Sequence, residues 1–156
     1  MKKVIPILLI SLQLASCIQI DQYEKIVQIP SQKWFYNNNP AFTFAITDTS
    51  AQYNIYVVLR HTDRYNYNNI WLRLGTKFPG DMMQYQNINL KLADDAKGWE
   101  GAGMDDIYEV RKNISRGPLS FKKPGTYTFT AAQIMRENPL HNVMNVGIRL
   151  EKVKLY

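Results

Sequence analysis

Asn69-Ile70-Trp71-Leu72-Arg73-Leu74 is apolar at every second position: Ile70, Leu72 and Leu74 fall on one side, Asn69, Trp71 and Arg73 on the other. Successive side chains of an extended chain point to opposite faces, so this period of two describes a strand with one face in a core. Trp71 reads as a ring packed on the sheet. The period recurs in Phe42, Phe44, Ile46, in Tyr53, Ile55, Val57, Leu59 and in Ile88, Leu90, Leu92. Further strands are expected over 106–111, 126–130 and 145–153. In the last, Val146, Ile148 and Leu150 face one way while Arg149 and Glu151 face the other. Turn chemistry punctuates these runs, as in Asn37-Asn38-Asn39-Pro40, Phe78-Pro79-Gly80-Asp81 and Lys123-Pro124-Gly125. Many half-buried strands with little helix predict an all-β fold, an antiparallel β-sandwich of jelly-roll-like type. At most one short helical turn is expected, over Ala131 to Glu137 before Pro139. Ile55, Val57, Leu59, Leu72, Leu90, Phe129 and Ile148 are expected to point inward.

The amino terminus carries a different message. Met1-Lys2-Lys3 is followed by an apolar run, Val4 to Leu14, broken only by Pro6, Ser11 and Gln13. This is the pattern of a secretory signal peptide, and the run is shorter than the roughly 20 residues a membrane-spanning helix needs. Leu14-Ala15-Ser16-Cys17 has the form of a bacterial lipobox, an aliphatic residue and two small ones before a cysteine whose sulfur takes a diacylglycerol. Residues 1–16 are therefore expected to be cleaved, leaving residues 17–156 as a single β-sandwich lipoprotein domain with Cys17 as its lipid attachment site. Several acyl chains on one residue, palmitate among them, anchor a protein stably where a single chain does so only marginally. Cys17 is the only cysteine, so neither an internal disulfide nor a cysteine-ligated zinc is available. Ile18, Ile20, Tyr23, Ile26, Val27 and Ile29 already read as partly strand-like, so no long tether separates the lipid from the domain.

From Cys17 onward, 17 basic side chains stand against 13 acidic ones. The basic residues are dispersed from Lys25 to Lys154 among the acids, whereas a nucleic-acid binder gathers them on one face. No nucleic acid, small-molecule substrate or cofactor is expected. Catalytic motifs are equally sparse. His61, at a strand end, and His141, in a Pro-Leu-His-Asn loop, read as solvated or capped side chains, and Ser115 and Ser120 lack a nucleophile elbow. Adjacent acids on a strand point to opposite faces, so Asp94-Asp95 and Asp105-Asp106 do not face one another across a substrate, and a glycosidase pair would have to be brought together by folding.

The stretch from Leu92 to Asp106 is the richest in the chain, with four Asp, one Glu, three Gly and Trp99. Calcium takes six to eight oxygen ligands, which makes Asp94, Asp95, Asp105 and Asp106 weak calcium candidates. The favoured reading is a hairpin and long turn with Asp capping backbone amides and Gly at positive φ. Trp99, Tyr65 and Tyr67, in or beside loops, are the candidate partner or glycan contacts, because exposed aromatic rings supply much interface area.

The lipobox, the Asn69 to Leu74 strand, the Leu92-Ala93-Asp94, Gly98-Trp99 and Gly101-Ala102-Gly103 loop, and the ending together resemble one family. The ending comprises Gly125-Thr126-Tyr127-Thr128-Phe129, Gln133-Ile134-Met135-Arg136 and Val146-Gly147-Ile148-Arg149-Leu150-Glu151-Lys152. The chain is similar to the GldH gliding-motility lipoproteins of Bacteroidetes. The resemblance implies an outer-membrane lipoprotein, facing the periplasm, that supports gliding motility or type IX secretion through contacts with other envelope lipoproteins or machine components. It implies no enzyme activity. The alternative expectation is a glycan-binding module of the envelope, which would show a groove with exposed Trp or Tyr and nearby Asn, Asp or Arg.

Overall fold

The computed structural model describes residues 22–153. The signal peptide, Cys17 and the strand-like Ile18 and Ile20 lie outside the described residues. In chain order the elements begin with β1 (Gln22–Gln28), a single tight turn at Pro30–Gln32, β2 (Lys33–Trp34), β3 (Ala41–Ile46), β4 (Gln52–Thr62), β5 (Asn69–Lys77) and β6 (Gln84–Lys91). Three short strands follow, β7 (Ala93–Asp94), β8 (Gly98–Trp99) and β9 (Ala102–Met104). The chain then continues through β10 (Ile107–Asn113), β11 (Leu119–Ser120), β12 (Gly125–Gln133), β13 (Leu140–His141) and β14 (Val143–Lys152).

Two main antiparallel sheets result, beside two-stranded ladders of β13 with β2 and β7 with β8. One runs β1-β14-β4-β10-β9 with β11 also on β4; the other runs β3-β12-β5-β6. The chain crosses repeatedly between them, which is the jelly-roll connectivity the strand pattern called for. Their inner faces carry the expected alternation: Tyr53, Ile55, Val57 and Leu59 of β4 and Val146, Ile148 and Leu150 of β14 share one buried cluster with Phe42, Phe44, Leu72, Leu74 and Phe129. Each such side chain withdrawn from water contributes about 1.5–3 kcal/mol. Phe44 anchors the aromatic part, with ring centroids 5.6 Å from Phe129, 5.8 Å from Phe121 and 5.2 Å from Tyr23. All seven residues expected to point inward are buried.

Two local expectations are corrected, and one buried residue carried no expectation. Ala131 to Glu137 forms no helical turn: β12 keeps alternating through Tyr127, Phe129, Ala131 and Gln133, and the buried Gln133 amide donates to the carbonyls of Trp34 and Glu137 while its oxygen accepts from Met135 N–H. Among the described residues the one turn of that kind sits at Pro30–Gln32 instead. Trp71 is 43% exposed, because its position in the period of two places it on the outer face of the sheet. Trp34, in a strand of two residues, is fully buried with its indole N–H donating to Asn38 O at 2.7 Å.

The register defines two ends. At the near end Gln22 of β1 lies opposite Glu151, Glu151 opposite Asn54, and Gln52 opposite Ser120. At the far end His61 lies opposite both Tyr108 and Val143.

Candidate functional site

The Leu92 to Asp106 stretch folds over the far end as a braced loop. Leu92 and Ala93 both donate N–H to Asn68 O, and Glu100 N–H returns to Leu92 O at 2.8 Å. β7 pairs with β8, and β9 joins β10, so the loop is stitched at both sides. Gly98 and Gly101 adopt φ of 76° and 95°. At Gly101 an added Cβ would stand 2.1 Å from Glu109 O, so only glycine fits there. The Glu100 carboxylate pairs with Lys112 of β10.

Trp99 drives this loop into the sandwich. Its ring centroid is 4.5 Å from His61, 6.0 Å from Tyr108 and 6.2 Å from Tyr65, and Tyr67 adds an edge contact to Tyr65 at 5.8 Å. Strand position explains the convergence: His61 ends β4, Tyr108 lies opposite it, and Tyr65 and Tyr67 occupy the β4–β5 connection. Tyr65 is 4% exposed and donates its hydroxyl to Asn69 O, and burial first, then Tyr67 and Glu137, push its phenol well above the usual range. Tyr65 is therefore corrected from an exposed contact to an internal brace. Trp99 and Tyr67 are half-buried.

His61 is also corrected, from a solvated or capped residue to one 1% exposed. Its Nδ1 donates to the Thr62 carbonyl at 2.9 Å, since a carbonyl can only accept, and Nε2 finds no partner among the rings. Burial lowers the pKa of His61, and the hydrogen bond to Thr62 opposes that only in part. A neutral imidazole sealed by aromatic rings has no route to a substrate. His141 is in β13, opposite Lys33, and the Ser115 hydroxyl is engaged with Asn113 Oδ1 and Ile55 N–H.

The acids do not converge. Asp94 accepts from Lys91 Nζ at 2.5 Å and from Ala96 N–H, which with other contacts from Lys91 lowers its pKa, and Asp105 occupies a left-handed turn at φ 55°. Among the described residues no group of three or more His, Cys, Asp and Glu comes together to hold a metal.

A second feature lies on the outer face of the β3-β12-β5-β6 sheet, where a trough of about 640 Å³ has Tyr36 and Asn39 on one wall and Tyr85 on the other. Small residues make its floor. Gly75 lies opposite both Thr130 and Tyr85, and Ala132 lies opposite Arg73. A Cβ at Gly75 would meet Thr130 Oγ1 at 2.3 Å and the Tyr85 ring at 3.0 Å, so glycine lets the ring lie close to the sheet. Tyr36 is held by its hydroxyl donating to Met135 O at 2.7 Å. Tyr85 remains 66% exposed and Tyr36 45%. Tyr36, Tyr85 and Arg73 were absent from the sequence-based candidates. The signal was present in the outward phase of β5 and β6, where Trp71, Arg73, Tyr85, Asn87 and Asn89 share one face.

The GldH lipoprotein family model matches residues 21–150. Among curated proteins, a gliding motility lipoprotein GldH homolog of Christiangramia forsetii is 25% identical over 139 residues, covering 85% of this chain and 82% of its own. The gliding motility lipoprotein GldH of Flavobacterium johnsoniae is 25% identical over 156 residues, covering 94% of each chain. No solved structure matches.

Proposed function

The chain belongs to the GldH lipoprotein family, and from that premise we propose that it is a non-catalytic, lipid-anchored component of the envelope machinery for gliding motility or type IX secretion, acting through protein contacts. The family match along nearly the whole domain carries this reading. Acylation at Cys17 confines the domain to a bilayer surface and raises its effective concentration near co-anchored partners, so no tight free interface is needed. The sorting patterns that the family resemblance implies support an outer-membrane, periplasm-facing position: Ile18 stands where an inner-membrane retention signal would place Asp, and Gln19-Ile20-Asp21 lacks a run of acids.

The braced far-end loop is the proposed contact. Asn54, level with the start of β1, and His61 are seven residues apart on β4, so the loop stands about 23 Å further from the tether. It presents Met104, 78% exposed, on a backbone fixed by Trp99, Gly101 and the Glu100–Lys112 pair. Affinity capture of the lipidated protein from native envelopes, with Met104→Asp beside wild type, tests the reading. Wild type should retain companion envelope proteins that Met104→Asp loses, and deletion should impair spreading or secretion. Normal spreading and secretion in a clean deletion would overturn it.

The trough favours a second reading, a glycan-binding role. Ring faces on both walls suit the C–H face of a sugar, and Asn39, Arg73 and Thr130 supply donors and acceptors between them. Titrating the lipidated protein with oligosaccharides should show binding that Tyr85→Ala weakens, and equal binding by that variant would remove the reading.

A further inference from the structure

We infer that the near end of the sandwich is a lipid-binding surface, in which the cavity between the sheets takes one acyl chain of a phospholipid from the bilayer that carries the anchor. The inference rests on the lipid anchor at Cys17. Cys17 precedes Gln22 by five residues, so the acylated residue lies within about 17 Å of the start of β1. β1 starts at the near end, beside Glu151 and level with Asn54. Of the two ends, that one is therefore within reach of the bilayer.

Its chemistry fits such a neighbour. The β5–β6 turn there exposes Phe78 at 45% and Met82 at 85%, while the connection between β11 and β12 places Lys122 and Lys123 in the open. Apolar tips beside lysines are the composition of a surface that enters the headgroup region, the rings and thioether below and the ammonium groups at the phosphates. Between these two segments a cavity of about 490 Å³ opens into the sandwich, its walls apolar with Ile55, Ile114, Leu119 and Phe121 from one sheet side and Phe129 from the other. Apolar walls open to water at one end are the setting in which a hydrocarbon chain gains by leaving water. Lys122 and Lys123 stand at its rim with Asp81, which Lys123 approaches at 3.8 Å. An acyl chain inside with an anionic headgroup at the lysines satisfies both the walls and the rim.

The test uses the lipidated protein in vesicles of phosphatidylethanolamine and phosphatidylglycerol, its acylation verified first by mass so that loss of the anchor is seen separately. Spin labels enter through Met82→Cys and Met104→Cys, the acylated Cys17 offering no free thiol. The label at 82 should be relaxed by dissolved oxygen and shielded from a water-soluble nickel chelate, and the label at 104 should show the reverse. A phosphatidylglycerol with a photoactivatable acyl chain should crosslink to residues 114–123, and the Lys122→Glu, Lys123→Glu double variant should lower that yield at least several-fold. A label at 82 as open to nickel as that at 104 would overturn the membrane-facing end. Absence of crosslinking with label 82 immersed would overturn the acyl site, as when the protein's own anchor fills the cavity.

Discussion

The two ends of the sandwich solve the same problem in opposite ways. Each must close the gap where two sheets diverge. At the far end Trp99 is driven between His61, Tyr65 and Tyr108, and the loop above is stitched to β10. At the near end Phe121 and Tyr127 meet at 4.6 Å and Phe78 leans on Tyr127 at 5.4 Å, yet a cavity stays open and Phe78 and Met82 face outward. A closed end is stabilised by its own side chains and is rigid enough to present a surface to a partner. An open apolar end is left to be covered by whatever it faces. The register of β1 puts the open end beside the start of that strand.

Substitutions can break this contrast. The largest effect is expected for Trp99→Ala, which should cost about 3 kcal/mol in chemical denaturation, the low end of the range for a large aromatic because Trp99 is half-buried. Gly101→Ala should cost about 1–3 kcal/mol, since φ of 95° and the Glu109 carbonyl both oppose a Cβ. A smaller effect concerns pH. The folded pKa of His61 lies below the ordinary 6.5, so the unfolded chain takes its proton first as the pH falls. Stability should be full above pH 6.5 and decline below it, and His61→Phe should flatten that slope in a melting series across the window. The smallest change is expected at the other end: Met82→Ser, at a side chain 85% exposed, should stay within about 0.5 kcal/mol of wild type by the same denaturation measurement. A loss at Met82 as large as that at Trp99 would mean the near end is packed shut and the contrast is false.

The legible part of the fold was local. Alternation in β4, β5 and β14 named the inward side chains correctly, since strand phase depends only on the sequence of one segment and on the burial of one face. Where a segment was too short to show a period, as at Lys33-Trp34, a fully buried Trp passed unread. Ala131 to Glu137 shows the converse, for a local pattern compatible with a turn yielded to the pairing of β12 with β5 and to the hydrogen bonds of Gln133.

The candidate sites divide in the same manner. A lipobox is a contiguous run of residues recognised in an unfolded chain, so the expectation of Cys17 as the attachment residue could be read from sequence alone. Tyr65, Trp99 and His61 could be listed as residues able to make contacts or carry charge, but exposure is a property of what packs against a side chain. Here the packing comes from β4, β10 and two loops joined across long stretches of chain. The sequence by itself determined the strand phase and the sandwich class, and set the expectation of an anchor at Cys17, because each is written within a few adjacent residues. Only the tertiary structure decided that the Trp99 loop is sealed and far from the start of β1, that Tyr36 and Tyr85 share one trough, and that the open cavity lies at the end where β1 starts. Those facts follow from the order and register in which β1, β14, β4 and β10 pair, and pairing between distant segments is fixed by the free energy of the whole assembled core.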